Sequence, residues 1–210
     1  TLAIGIGANT VVFSVINRVL LSPLPYPNSD RLVALWLDAP GAGGLANFSS
    51  GLQLSASMYF TFLRHNQTLQ SIGVWTNGAA NVTGVARPEE VQTVQVSDGV
   101  LETLEVPAVA GRWFNVADQD PRGGKTVILG YGYWQRQFGG DPGIIGETVN
   151  LNRAPVTVVG VAARAFTAIT PGSIYDGWLP RSLRSRLDPF WSPGDAGANS
   201  FWLVLVARLR

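Results

Sequence analysis

The first 21 residues, TLAIGIGANTVVFSVINRVLL, are apolar apart from Thr1, Asn9, Thr10, Ser14, Asn17 and Arg18, and Pro23, Pro25 and Pro27 follow at once. No other feature divides the chain so sharply. Wound as a helix, such a run rises about 1.5 Å per residue, or roughly 30 Å, close to the thickness of a hydrocarbon core. Its glycines and small polar residues suit a helix packed against other membrane helices, and Arg18 is placed to snorkel to the interface. The competing reading is an amphipathic or buried helix of a soluble domain. The expectation is the C-terminal part of a transmembrane helix over 1–21. The run opens without an initiator Met or a basic n-region, which predicts a piece of a longer chain rather than a signal peptide.

Proline removes backbone donors and restricts the residue before it, so residues 22–29 read as a proline-rich junction that stops the helix. The composition of the whole chain is that of a folded, membrane-linked protein. Apolar residues make up 46% and charged residues 14%, against about 25% charged in average soluble domains. The net charge is +1 and Arg is scattered rather than clustered, so no broad basic surface for nucleic acid is expected. With no cysteine, a disulfide framework and a thiolate zinc site are both excluded.

The remainder alternates short elements with turns, in keeping with the 24 glycines and 13 prolines of the whole chain. Asp30 to Trp36 reads as a strand and 38–52 as a mobile Gly/Ala/Ser-rich loop. Ser55 is placed to cap a helix over 56–68 whose apolar face is Met58, Phe62 and Leu63, with Leu69 beyond. Ile72 to Trp75, Ala80 to Thr83 and Glu90 to Val96 read as separate strands. In the last, Val91, Val94 and Val96 nearly alternate with Gln92, Thr93 and Gln95, which predicts one wet face. A helix is expected over 98–104, a strand over Lys125 to Leu129 and a helix over Tyr133 to Phe138. Asp141-Pro142 then starts a short helix. Strands Glu147 to Leu151 and Val156 to Val161 flank a hairpin-sized connection, Asn152-Arg153-Ala154-Pro155. Residues 165–200 look irregular, and Phe201 to Leu209 is a final strand on which the chain ends, as a cut piece would. The fold class is α+β, with no internal repeat.

Chemistry is not visible in these residues. Gly5-Ile6-Gly7-Ala8-Asn9-Thr10 lacks the third glycine of a dinucleotide-binding turn, and no strand precedes it. Gly124-Lys125-Thr126 ends like a phosphate-binding loop, but Gln119 stands where its first glycine belongs and a strand follows where a helix should. His65 is the single histidine, so a triad or a His-rich metal site would have to be built around it; a solvated surface histidine is expected. Asp118 and Asp120 read as a polar turn rather than a calcium loop, and Glu89-Glu90 has no evident catalytic partner. The tryptophans at 36, 75, 113, 134, 178, 191 and 202 are spread along the chain, as packing residues are, although indole faces also suit a sugar or lipid groove. Sequons at Asn47, Asn66 and Asn81 matter only in a eukaryotic secretory setting. No catalytic, cofactor-binding or metal-ligating residue is assigned, no cofactor is expected, and a structural, binding or transport role is favoured over an enzyme.

Three motifs in order point further. GIGANTVVFSVINRVLLSPLPYPNSDRLVALW resembles the segment closing the first membrane helix of MacB-like/FtsX-like ABC transporter permeases, nearest the acidobacterial-type duplicated permeases. Arg87-Pro88-Glu89-Glu90-Val91, leading through Val96-Ser97 to Gly111-Arg112-Trp113-Phe114 and Asp118, is similar to the same family. So is the longest match, YWQRQFGGDPGIIGETVNLNRAPVTVVGV, from Tyr133 to Val161. The resemblance implies a MacB-like periplasmic core domain over 30–210, held on the periplasmic side of the bacterial inner membrane. It also implies a cytosolic ABC ATPase acting through the parent permease, a permease dimer, membrane lipid around 1–21, and transmission of ATPase-driven motion. The alternative is a freestanding extracytoplasmic glycan- or lipid-binding module. Four departures stand out: Gly130 where relatives usually have Ser, Glu105 where Gly is common, Arg153 in place of Gly after Asn152, and Ala162-Ala163-Arg164-Ala165-Phe166 in place of a more proline-rich stretch. The third predicts that the hairpin turn is not of the Asn-Gly type.

Overall fold

A computed structural model describes residues 13, 24, 26–38, 51–85, 87–120, 122–164, 166, 169, 173–183 and 200–210. The expected membrane helix over 1–21 (apart from Phe13), most of the 38–52 loop and much of 165–200 lie outside these residues. Among the described residues no helix is long and apolar enough to cross a membrane.

The organising element is β3 (Leu69–Thr83), one strand of 15 residues where two were expected. At about 3.3 Å per residue it runs roughly 50 Å. Gly78 and Ala79 do not interrupt it because they pair with Thr93 and Gln92 of β4 (Glu89–Val96). The first half of β3 pairs instead with β10 (Phe201–Leu209), which in turn pairs with β1 (Leu32–Leu35) and with the short β2 (Leu54–Ser55).

Beyond β4 the sheet closes on itself. β4 lies parallel to β9 (Gly177–Pro180), which is antiparallel to β6 (Thr126–Leu129). β6 runs parallel to β8 (Ala154–Ala162), and β8 is antiparallel to β7 (Thr148–Leu151). β7 returns to the far end of β3 at Val82 and Thr83, so six strands form a hydrogen-bonded ring. β5 (Ala108–Gly111), which the sequence did not announce, flanks β8. β9 sits inside the stretch read as irregular; all four of its residues are buried.

Among the described residues, beside the helical Phe13, three α-helices complete the α+β architecture: α1 (Ala56–His65), α2 (Asp98–Leu104) and α3 (Tyr131–Phe138). α1 starts as expected, with the Ser55 hydroxyl accepting from the Met58 N–H. Its buried face is Ala56 and Tyr59, however, while Phe62 and Leu63 are exposed. α2 crosses β3 at backbone contact: a Cβ on Gly99 would fall on the Ile72 carbonyl, and one on Gly73 on the Val100 backbone. Each strand of the ring contributes to one apolar cluster, into which α3 inserts Tyr133 and Trp134. A second cluster joins Val100 and Leu104 of α2 to Trp75, Val204, Val206, Phe166 and Trp178, and it takes in Tyr26.

Two expectations are corrected. β4 has no simple wet face: Thr93 and Gln95 are buried along with Val94 and Val96, because both faces are packed, Val91 belonging to the ring's apolar cluster and Val94 and Val96 to the cluster around Val100 and Trp178. The 152–155 connection shrinks to the two residues Asn152 and Arg153, since Leu151 pairs with Ala154. Both have positive φ, 48° and 65°, the type I′ signature that an Asn-Gly turn supplies without strain. Arg153 adopts the glycine conformation all the same. The Asn152 side chain helps hold it there by accepting from the Asn81 N–H at 2.8 Å, while the Asn152 N–H donates to the Asn81 carbonyl at 2.9 Å.

Candidate functional site

The site with the most built-in chemistry lies where the proline-rich junction meets the domain. Arg208, on β10, has no exposed surface. A guanidinium taken out of water needs its donors satisfied, and here the acceptors are backbone oxygens from two other segments. Nε donates to the Thr103 carbonyl in α2 at 2.9 Å, Nη1 to the Asn28 carbonyl at 3.0 Å, and Nη2 to the Pro27 carbonyl at 3.0 Å. Glu105 Oε2 stands 3.4 Å from Nη2 and 3.4 Å from the Asn28 amide nitrogen that donates to it.

The junction is shaped to present those carbonyls. Asn28 is left-handed, with φ 47° and ψ 47°, and precedes a 3₁₀ turn over Ser29–Arg31. Glu105 is left-handed as well, at φ 53°, and closes α2 through its N–H to the Leu101 carbonyl. Arg31 donates to the Leu209 carbonyl and to Gln70 Oε1 at 3.1 Å. Tyr26 is buried, with its ring edge-on to Phe166. Burial, with a smaller push from Tyr175, raises its phenol to about 12, so it stays neutral. Junction, α2, β3 and β10 are therefore tied through one arginine.

A second polar cluster follows β5. Arg112 and Asp118 form a two-bond pair, Nη1 to Oδ2 at 2.6 Å and Nη2 to Oδ1 at 3.2 Å. Asp118 also accepts from the Asn115 N–H at 2.7 Å, and its own N–H donates to Asn115 Oδ1 at 3.1 Å, a reciprocal cap. Burial alone would raise the Asp118 carboxyl, but the Arg112 and Asn115 hydrogen bonds outweigh it and hold it below the usual range. Asp118 is thus a buried anchor of this loop, more than the polar turn expected, while Asp120 accepts from the Arg122 N–H in an exposed turn.

The remaining candidates stay apart. His65 ends α1 at the surface, and Lys125-Thr126 leads into β6 rather than a helix. Glu89 reaches Arg136 at 3.8 Å, and Glu90 is exposed. Among the described residues no group of three His, Cys, Asp or Glu could hold a metal ion. Trp75, Trp134 and Trp178 are buried and Trp36 is half exposed; Trp191 lies outside the described residues. An apolar groove of about 310 Å³ runs beside the junction, lined by Leu24, Tyr26, Trp36, Trp75 and Ile169 among others. Arg208 was missed in the sequence, although one signal was available: a lone cation within the apolar run FWLVLVARL, which a buried strand tolerates only with partners.

With this geometry in view, comparisons with known proteins are informative. The family described as MacB-like periplasmic core domain matches residues 1–207. The crystal structure of the periplasmic region of MacB from Actinobacillus actinomycetemcomitans is similar, with a TM-score of 0.63 and 13% identity, over 91% of this chain and 79% of that one. The extracellular domain of the noncanonic ABC-type transporter YknZ from Gram-positive bacteria has a TM-score of 0.57 and 13% identity, over 85% of this chain and 83% of that one. No curated protein sequence matches.

Proposed function

Because this chain belongs to the MacB-like periplasmic core domain family, the extracytoplasmic part of ABC transporter permeases that work with cytosolic ATPases, we propose that it transmits ATPase-driven motion of membrane helices to the periplasmic side of an efflux or export permease. On this reading residues 1–21 end a membrane helix in contact with lipid and 22–29 form the junction. Residues 30–210 are the working domain, in a permease dimer of the bacterial inner membrane, where they contact substrate or periplasmic partners.

The Arg208 clamp is the observation that carries the proposal. A free proline-rich connector would absorb a displacement of the helix before it. Here three carbonyls, two of them in the connector, are held by one buried side chain on the last strand. A push on the junction then moves β10, β3 and α2 together.

The test uses the parent permease with its ATPase in proteoliposomes, spin-labelled at Thr148 on β7. Wild type should show a change in the inter-subunit label distance on vanadate trapping, and Arg208→Gln should blunt it. An unchanged distance in wild type would refute transmission. Topology is tested separately with a protease-sensitive tag in the 38–52 loop. Cleavage in intact spheroplasts is expected; protection until lysis would place the domain on the wrong side.

A further inference from the structure

Away from the junction, a cleft of about 550 Å³ opens between the first turn of α3 and the segment around Ile174 to Asp176. Its walls are aromatic and aliphatic: Tyr131, Tyr133, Phe166, Ile174 and Tyr175 line it together with Arg136 and Arg164. The two cations differ in kind. Arg136 is engaged, donating to Asp176 Oδ1 at 3.1 Å and lying over the Tyr133 ring at 5.3 Å. Arg164 is exposed and has no partner among the described residues. Asp176 is the one carboxylate among the described lining residues; Arg136 pairs with it and also lies 3.8 Å from Glu89 outside the lining.

Two further observations describe what such a cleft would hold. Ile174 is 69% exposed at its rim, an apolar surface that a ligand's body would cover. Gly130, the N-cap of α3, has no capping side chain, so the turn lining the cleft carries no acceptor of its own. A Cβ at Gly130 would meet the Tyr175 carbonyl, so no capping side chain fits there.

We infer that this cleft binds a small amphipathic organic anion, such as an aromatic carboxylate or sulfonate, with its apolar body between Tyr131 and Ile174 and its anionic group on Arg164. The inference goes beyond the transmission role and does not rest on it. Pockets of this size, mostly apolar with few placed polar groups, are the ordinary form of small-molecule sites, and a guanidinium can donate to two oxygens of a carboxylate or sulfonate at once.

The experiment is equilibrium dialysis of the full chain in neutral detergent, with protein-free micelles subtracted. Two probes of nearly the same shape are compared, 2-naphthalenesulfonate and the uncharged 2-naphthalenesulfonamide. Saturable binding at one site, tighter for the sulfonate, is expected. Arg164→Gln should weaken the sulfonate about tenfold or more, the size of one charge-assisted hydrogen bond, and abolish the preference for the anion. Arg164→Lys should keep that preference, and Trp36→Ala, in the separate groove by the junction, should change neither affinity. Unsaturable binding, equal affinity for the two probes, an Arg164→Gln protein that binds like wild type, or a loss on Trp36→Ala would each overturn the assignment. No ATPase or transport enters the readout, so failure here and failure of the transmission role are distinct.

Discussion

Replacing Arg208 with Met keeps the length of the side chain and deletes the guanidinium. Burying Met in place of a charge is often neutral where the partner charge is removed as well. That escape is closed here, because the acceptors of Arg208 are the main-chain carbonyls of Pro27, Asn28 and Thr103, which no side-chain substitution can delete. Each buried acceptor left without a donor costs about 1–3 kcal/mol. The three share one donor group and relax together, so their costs do not add in full, and a loss of about 4 kcal/mol is expected, within the range for breaking a buried charged network. For a domain of this size 1 kcal/mol corresponds to roughly 2–4 °C in Tm, so the midpoint should fall by about 8–16 °C. Urea unfolding followed by tryptophan fluorescence measures it directly. Arg208→Lys should lie between the two, since one ammonium cannot serve three diverging carbonyls. A loss below about 1 kcal/mol with an unchanged m value would refute the reasoning, because water would then be satisfying the carbonyls as well as the arginine does.

Arg153→Gly should stabilise the chain by about 1 kcal/mol, since φ 65° costs a non-glycine residue roughly that much. Glu105→Gly relieves the same kind of strain but loses the carboxylate facing Arg208 and Asn28, so its gain should be smaller or reversed; chemical denaturation of both variants separates the effects. The Asp118 carboxyl is held below its ordinary value, so its contribution is complete above the unfolded value near 4 and is lost as pH falls through the lower folded one. The stability gap between wild type and Asp118→Asn should therefore be constant near neutrality and shrink below about pH 4, whereas a gap that persists to pH 2 would contradict the pairing. Gly99→Ala should cost about 1–3 kcal/mol or shift α2 away from β3, because its new methyl falls on the Ile72 carbonyl; amide exchange at Val74 and Val100 would locate the disturbance.

Local rules held where local forces decide. The Ser55 cap, the run from Phe201 to Leu209 and the short helix started by Asp141-Pro142 all stand, the last as a three-residue 3₁₀ helix with Gly143 N–H donating to Asp141 Oδ1 at 2.8 Å. What could not be read depended on partners far along the chain. Gly78 and Ala79 look like a break until β4 pairs with them, and the burial of Thr93 and Gln95 follows only once both faces of β4 are packed. β9 itself, Gly-Trp-Leu-Pro, is too short and too irregular in composition to announce a strand, yet it joins β4 to β6. The Arg208 clamp spans |i−j| = 180 to Asn28, a separation at which periodicity carries no information. The Arg164 cleft combines α3 with Arg164, Phe166 and Ile174 to Asp176 in the same way.

The antiparallel register that sets Leu32 against Arg208 has a consequence for how the sheet is approached. Directly opposed residues of such a ladder stand about 5 Å apart, so the start of β1 and the end of β10 lie one strand spacing from each other. Whatever is joined to either strand end therefore meets the sheet at the same corner, beside the other.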